Sequence, residues 1–152
     1  MTDTFKKAWT EMLRPMLQRP KRFQVAALCY RPNGDGKDVL LITSRDTGRW
    51  IVPKGWPIDG LNGSEAALQE AWEEAGVQEA EIQSEPLGCY DYLKGMNAGG
   101  NAQVEAQVYL AKVRAMSSTY PESDERKRKW VVPSEAANMV AEPGLKEILL
   151  NL

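Results

Sequence analysis

Residues 55–77, GWPIDGLNGSEAALQEAWEEAGV, carry three glutamates, Glu70, Glu73 and Glu74, at positions i, i+3 and i+4. On an α-helix this spacing places the three side chains within an arc of about 100° on one face. The arrangement is unfavourable by itself, because like charges at i and i+4 repel each other. Gly76 is a common type of residue at C′, so two of the acids lie near the helix C-terminus, where the macrodipole opposes them.

No basic residue near this segment along the chain compensates the acids. Segment 55–93 contains nine acidic residues and no Lys, Arg or His. Two carboxylates about 4 Å apart repel by ~4 kcal/mol at an effective dielectric of ~20, so the cluster predicts a bound divalent cation. Oxygen ligands alone favour Mg²⁺, Mn²⁺ or Ca²⁺ over Zn²⁺. The alternative is a solvated acidic helix face, and a calcium-binding structural protein is disfavoured because no loop has the EF-hand ligand spacing.

The charge of the chain is unevenly distributed. The net charge is −2, but outside segment 55–93 the chain holds all 19 of its basic residues and the remaining 12 of its 21 acidic residues, a balance of +7. A metal-bridged polyphosphate site needs this combination, since carboxylates bind the metal and Lys and Arg bind the phosphates. The absence of histidine excludes Ser-His-Asp and Cys-His catalysis and His-bound zinc.

The length of 152 residues predicts one main domain. Residues 1–20 are predicted to form an N-terminal helix that packs on the domain body, with a dimer contact as the alternative, because an apolar stripe recurs at helical spacing. The domain itself is predicted to span residues 21–152.

No signal peptide is visible and no run approaches the ~18 apolar residues that span a bilayer. We therefore predict a cytoplasmic protein that does not contact a membrane.

Sequence patterns predict a β-rich body with a central helix and C-terminal helices. Strand-like runs occupy residues 23–30, 39–43, 50–52, 81–93, 102–113 and 126–133, with hairpin turns at 32–36 and 95–101. Asn62 and Glu65 have the spacing of a capping box at the start of the central helix, with Ser64 as the rival N-cap. Leu68 and Trp72 are expected to anchor this helix in the core.

Two cysteines, Cys29 and Cys89, lie in apolar, strand-like runs. The pattern predicts reduced thiols in the core, and a disulfide is the alternative.

With residues 50–77 in view, the chain resembles the Nudix hydrolases, whose box reads G-x5-E-x7-R-E-U-x-E-E-x-G-U, where U is bulky and apolar. The residues that match in register are Gly55, Glu70, Glu73, Glu74, Gly76 and Val77. Leu61 replaces the first Glu of the box, Gln69 replaces the Arg, and Ala71 is a small U. The first two are commonly paired in the family, so losing both leaves neither charge without its partner.

The likeness covers most of residues 22–150. Residues 23–30, 39–55 and 126–131 are similar to the branch that hydrolyses diphosphoinositol polyphosphates and diadenosine polyphosphates. The resemblance implies an α/β fold, a Nudix-type α/β/α sandwich with a mixed β-sheet. A basic residue expected at the start of the first strand is Gln24 here, which weighs against an inositol substrate, although Lys21 and Arg22 are close.

The resemblance implies Mg²⁺-dependent hydrolysis of a phosphoanhydride in a polyphosphate, with Mn²⁺ as a substitute. The expected metal ligands are Glu70, Glu73, Glu74 and the Gly55 carbonyl. The expected general base is Glu73 or Glu74, with Glu105 and Glu125 as candidates outside the box. The expected substrate-binding residues are Ser44, Arg45, Arg49, Lys54, Arg22, Arg126 and Arg128.

Other interpretations remain open for these residues. A solvated turn is the alternative for Arg45 and Arg49, a surface loop for Lys54, and a solvated strand entry for residues 126–129, where alternation lets only one basic pair face the site. The expected partner is a small-molecule polyphosphate, with nucleic acid disfavoured by the net charge and the protein acting as a monomer or homodimer. A non-catalytic nucleotide-sensing module and an RNA 5′-end pyrophosphohydrolase are the alternative functions.

Overall fold

A computed structural model describes residues 22–95 and 99–152. The strands are β1 (Arg22–Asn33), β2 (Gly36–Thr43), β3 (Trp50–Ile51), β4 (Lys54–Gly55), β5 (Val77–Ile82), β6 (Gly88–Gly95), β7 (Asn101–Met116) and β8 (Arg128–Val131). The helices are α1 (Gly63–Ala75), α2 (Pro133–Met139) and α3 (Pro143–Leu150). The predicted N-terminal helix lies outside the described residues.

The strands form one mixed sheet. The order along its main path is β3-β2-β1-β7-β5, while β4 pairs with β1, β6 with β7 and β8 with β2. The two central strands, β1 and β7, run parallel, and the other pairs are antiparallel. The predicted hairpins are confirmed: β1 and β2 meet at Asn33 and Gly36, and β6 and β7 meet at Gly95 and Asn101.

Both faces of the sheet are covered by helices, which gives the predicted α/β/α sandwich. Because side chains alternate along a strand, β1 sends Val25, Ala27 and Cys29 to the α1 side and Ala26 and Leu28 to the side of α2 and α3. Four alanines of α1 are almost fully buried against the sheet, Ala66, Ala67, Ala71 and Ala75. Their small size lets the α1 backbone lie close to the strands, so the residues on its other faces stand at fixed positions above the sheet.

The ends of α1 are set by local sequence. Asn62 is the N-cap: its side chain accepts a hydrogen bond from the Glu65 backbone N–H at 2.9 Å, and the Glu65 carboxylate accepts one from the Asn62 N–H at 3.0 Å. The predicted capping box is therefore confirmed. The rival N-cap Ser64 is wrong, since Ser64 lies inside the helix. Gly76 ends the helix in the left-handed conformation, at φ 72°, which glycine adopts without steric cost.

Two expectations about side-chain burial are wrong. Leu68 and Trp72 are only half-buried and belong to neither core cluster; they line a surface hollow with Leu61. The alanines occupy the sheet-facing side of α1, so the larger residues are left outside.

Cys89 is exposed whereas Cys29 is buried, and no disulfide joins them. Burial raises the pKa of the Cys29 thiol to about 12.

The strand pattern predicted in segment 81–93 is confirmed and is divided between two strands. It contains the end of β5 and most of β6, joined by a short connection around Pro86. Among the described residues, no helix is long and apolar enough to cross a bilayer.

Candidate active site

Strand β4 and helix α1 bring Gly55 and Glu70 into direct contact. Gly55 pairs with Val25 on β1, which fixes its backbone at the edge of the sheet below α1. A Cβ atom at Gly55 would overlap the Glu70 carboxyl group. Only glycine therefore allows this carboxylate to lie against the β4 backbone. The Gly55 backbone and the Glu70 carboxyl group are thus direct neighbours.

Glu70 and Glu74 form a carboxyl pair one helical turn apart. Glu74 is 4% exposed. Burial, and after it a hydrogen bond to Glu70, raise the pKa of Glu74 to about 8, while Arg126 opposes the shift. Burial also raises the pKa of Glu70, whereas its hydrogen bond to Glu74 favours the charged form. The opposite effects of this hydrogen bond on the two pKa values favour Glu74 as the group that carries the shared proton.

Glu73 points to a different neighbour. Its carboxylate accepts a hydrogen bond from the Gln69 side chain at 3.0 Å, and its backbone carbonyl accepts one from the Glu122 N–H at 3.0 Å. Gln69, which stands where the family has Arg, thus donates to this glutamate. Through residues 22–95 and 99–152, no group of three His, Cys, Asp or Glu side chains is gathered closely enough to hold a metal ion without rearrangement.

The donor set nevertheless fits a hard divalent cation. Glu70 and Glu74 are carboxylates whose burial is unfavourable when both are ionised, and a cation in place of the shared proton would relieve that repulsion. The Gly55 carbonyl supplies a further oxygen, and Glu73 reaches the same helix face by rotation of its side chain. Oxygen ligands alone match Mg²⁺ or Mn²⁺.

Arg126 connects the carboxyl pair to the rest of the site. Its guanidinium is 8% exposed, donates to Glu122 at 3.1 and 3.2 Å and to the Thr43 carbonyl at 3.1 Å, and lies 3.6 Å from Glu74. Glu122 also pairs with Arg45 at 3.4 Å. Two of the predicted phosphate-binding arginines are thus held in place by protein carboxylates.

The turn between β2 and β3 forms one rim of the cavity. Ser44 and Thr47 share a hydrogen bond of 2.5 Å between their hydroxyl groups, and the Arg49 guanidinium donates to the Thr47 hydroxyl at 3.1 Å. Ser44, Arg45 and Arg49 all line the cavity. These contacts order a turn that places two arginines in the lining of the cavity that also contains the carboxyl pair.

Lys54, directly before Gly55 in the chain, also lines the cavity. Its ammonium lies 5.1 Å from the centre of the Tyr92 ring. Burial lowers the pKa of Lys54 to about 8, and the negative charges of Glu142 and Glu74 oppose this shift. The Tyr92 hydroxyl donates to the side chain of Gln24, the residue that stands where a basic one was expected.

The cavity has a volume of about 570 Å³. Its lining includes five cationic and six acidic side chains. The acidic members are Asp46, Glu70, Glu73, Glu74, Glu122 and Glu142. The cationic members are Arg45, Arg49, Lys54, Lys94 and Arg126.

Four predicted residues lie outside this cavity. Arg128 donates to the carbonyls of Ala75 and Ser117, both at 2.8 Å, so it closes the C-terminus of α1 and is not placed to bind substrate. Arg22 is exposed at the start of β1, and Glu105 lies on β7, away from the lining. Glu125 is exposed and pairs with Arg45 at 3.6 Å.

Sequence reasoning missed several cavity residues. Glu122 has a local signal, since it precedes Arg126 by four residues and pairs with it. Glu142 has a weaker one, the Glu-Pro-Gly sequence at the start of α3. Tyr92 and Trp56 line the cavity without any motif that would mark them.

The box glutamates on α1, the contact of Gly55 with Glu70 and the mixed sheet between helical layers define a Nudix-type site. Residues 22–152 match the NUDIX domain. The chain belongs to the Nudix family.

Individual relatives are similar over most of the chain. Nudix hydrolase 21, chloroplastic, from Arabidopsis thaliana is 34% identical over 79% of this chain and 59% of its own length. Diphosphoinositol polyphosphate phosphohydrolase 2 from Homo sapiens is 27% identical over 77% of this chain and 61% of its own length. The chain thus spans about six tenths of the length of these relatives. The name of the plant relative places it in the chloroplast, so the cytoplasmic location stays a prediction.

The fold is also found among solved structures. An Ap4A hydrolase of C. elegans, solved as a binary complex, superposes with a TM-score of 0.67 at 18% identity, covering 85% of this chain and 93% of that one. The predicted mixed α/β/α sandwich is confirmed by this likeness.

Proposed function

We propose that the protein is a Mg²⁺-dependent Nudix pyrophosphohydrolase that cleaves a phosphoanhydride bond in a polyphosphate substrate. The substrate classes are a diphosphoinositol polyphosphate, a diadenosine polyphosphate or a related nucleoside diphosphate derivative. One observation carries the proposal: the carboxyl pair of half-buried Glu70, which packs on Gly55, and buried Glu74 shares a cavity with Arg126 and Lys54. The carboxylates that can bind a metal ion and the basic side chains that can bind phosphates thus line the same cavity.

Glu70, Glu73, Glu74 and the Gly55 carbonyl would hold the cation. Mg²⁺, or Mn²⁺ in its place, neutralises phosphate charge and lowers the pKa of a coordinated water when bound. The chain's own groups position the substrate: Lys54, Arg45 and Arg49 bind phosphate oxygens, and Arg126 keeps the carboxyl pair in place. Glu73 or Glu74 accepts the proton of the attacking water. Positioning and charge neutralisation are the main requirements of phosphoryl transfer.

The charge of the lining bears on the choice between substrates. Its cations are outnumbered by its acids, and Arg126 and Arg45 already pair with Glu122. A densely phosphorylated inositol ring needs several unpaired cations. A nucleoside polyphosphate carries fewer charges, so the lining favours the nucleotide class.

A substrate panel tests the proposal. Diadenosine polyphosphates, diphosphoinositol polyphosphates, ADP-ribose and 5′-triphosphorylated RNA are incubated with the protein in Mg²⁺ and in EDTA. We expect Mg²⁺-dependent release of phosphate or nucleotide that is lost in Glu74→Gln and kept in Glu79→Gln, a change of an exposed carboxylate on β5. Binding of a nucleotide without turnover would instead support a sensing module. Turnover that persists in EDTA would contradict the site assignment.

A further inference from the structure

Glu142 is placed in the cavity by the two residues that follow it. Pro143 is the first residue of α3, and the residue before a proline is held extended; Glu142 has φ −76° and ψ 121°. At Gly144 an added Cβ would lie 2.6 Å from the Tyr90 Cβ. The start of α3 therefore packs directly on β6. This close approach turns Glu142 toward the active-site cavity, whose lining it joins.

The Glu142 carboxylate has an acceptor that no described residue uses. Its Oε2 atom is fully buried and accepts no hydrogen bond from the residues that the structure describes. It does not cap α3 either, although it is the N-cap residue. A buried acceptor left without a partner is destabilising. Such a group at the wall of a substrate cavity indicates a ligand that donates to it.

Lys54 supplies the complementary donor. Among the negative charges that favour the Lys54 ammonium, Glu142 has the largest effect, ahead of Glu74. None of the ion pairs in the described part of the chain includes Lys54. Its ammonium has three donors, so it can bind a phosphate oxygen and a second acceptor together. An acceptor and a donor thus line the same part of the cavity without being joined to each other.

We propose that Glu142 and Lys54 form an acceptor–donor pair that binds a free hydroxyl group of the substrate, and that Glu142 is a specificity residue of this site. A hydroxyl both donates and accepts, which matches the pair. A phosphate has no donor to offer and is repelled by the carboxylate. The site then selects a substrate whose non-phosphate part carries free hydroxyls, such as a ribose, over a ring whose hydroxyls are phosphorylated. This inference rests on the proposed phosphoanhydride substrate.

A binding experiment tests the pair separately from turnover. The ligands are α,β-methylene-ADP, its 2′,3′-dideoxy form and inositol hexakisphosphate, measured by calorimetry with Mg²⁺. We expect the wild-type protein to bind the ribose form at least about 10-fold more tightly than the dideoxy form, since a hydrogen bond to a charged group contributes about 1.5–3 kcal/mol. In Glu142→Ala the ratio of the affinity for the ribose form to that for the dideoxy form should fall to near one. Inositol hexakisphosphate should bind to Glu142→Ala more tightly than it binds to the wild type.

Glu147→Ala is the matched control, because Glu147 is an exposed carboxylate on the same helix, and it should keep the wild-type ratio. Glu142→Gln preserves the side-chain shape and should lower the ratio if Glu142→Ala does not fold. A wild-type ratio near one, or an unchanged ratio in a folded Glu142 variant, would overturn the inference. If the ratio behaves as expected but no member of the substrate panel is hydrolysed, the proposed function fails while the hydroxyl-binding pair stands.

Discussion

Arg126 and Glu74 are a buried pair, with 3.6 Å between the guanidinium nitrogen and the carboxylate oxygen and side-chain exposures of 8% and 6%. Arg126 also binds Glu122. Arg126 therefore links the loop before β8, in which it lies, to helix α1. The pair couples the stability of the fold to the charge of the candidate metal site.

Replacing Arg126 should destabilise the protein strongly. In Arg126→Gln, the part-buried Glu122 carboxylate loses both of its guanidinium hydrogen bonds and the Glu70–Glu74 pair loses its neighbouring positive charge, so we expect the free energy of unfolding to fall by about 3 kcal/mol. Arg45→Gln is the control, since Arg45 pairs with the same Glu122 but is 55% exposed. Its loss should stay below about 1 kcal/mol. Urea unfolding measures the free energy of unfolding of both variants. Equal decreases in the two variants would show that burial of the Arg126 ion pairs adds nothing to stability.

Gly55 should tolerate no side chain. Gly55→Ala places a Cβ where the Glu70 carboxyl group lies, so Glu70 has to move away from the β4 backbone. We expect the affinity for Mn²⁺ to fall at least about 10-fold, with the fold preserved by circular dichroism. Gly36→Ala is the control, because the nearest atom to its added Cβ is 3.8 Å away. An unchanged Mn²⁺ affinity in Gly55→Ala would show that Glu70 is not a ligand from this position.

The pH dependence of stability should report the proton on Glu74. Folding raises the pKa of Glu74 from 4.5 to about 8, so the folded protein binds this proton more tightly than the unfolded chain does. The resulting stabilisation is complete below about pH 4.5 and is lost as pH rises to about 8. In EDTA, the stability of the wild type relative to Glu74→Gln should fall between these pH values, by at most ~1.4 kcal/mol per pH unit.

Urea unfolding at several pH values in EDTA measures this difference, with Glu79→Gln as the control variant. A difference that rises with pH would mean that Glu74 is ionised and stabilised by Arg126 in the protein without cation.

Leu61 and Gln69 should behave as a coupled pair. They line the same surface hollow beside α1 and stand at the two box positions where the family commonly has Glu and Arg. Leu61→Glu alone adds an acid to an acidic segment and should destabilise, whereas Leu61→Glu with Gln69→Arg should recover a coupling energy of about 0.2–1 kcal/mol. A double-mutant cycle by urea unfolding tests this. Strictly additive changes in the free energy of unfolding would show that the two positions are not energetically coupled.

The parts of the fold that depend on short-range sequence could be predicted. The capping box of Asn62 and Glu65, the terminal Gly76 and the hairpin at Gly36 are determined by residues a few positions apart. The spacing of Glu70, Glu73 and Glu74 likewise fixes their common helix and leaves only side-chain rotations open. Glu73 accepts a hydrogen bond from Gln69 whereas Glu70 and Glu74 bond to each other, which spacing alone cannot show.

The parts that depend on distant contacts could not be predicted. The basic run 126–129 indicated a phosphate site, but Arg128 is used by carbonyls of Ala75 and Ser117 that come together only in the fold. Glu142 enters the cavity because Gly144 packs on Tyr90. Leu68 and Trp72 show the same limit, since helical periodicity does not say which face of α1 meets the sheet.

Calorimetric titration of Mn²⁺ into the wild type and into the double variant Glu70→Gln/Glu74→Gln tests the central claim most directly. The substitutions keep the size of both side chains and remove the charge that makes a cation necessary. We predict saturable binding to the wild type and an affinity at least about 100-fold lower in the double variant, with both proteins folded. Equal affinities, or no binding to the wild type in the presence of a non-hydrolysable polyphosphate, would contradict the account.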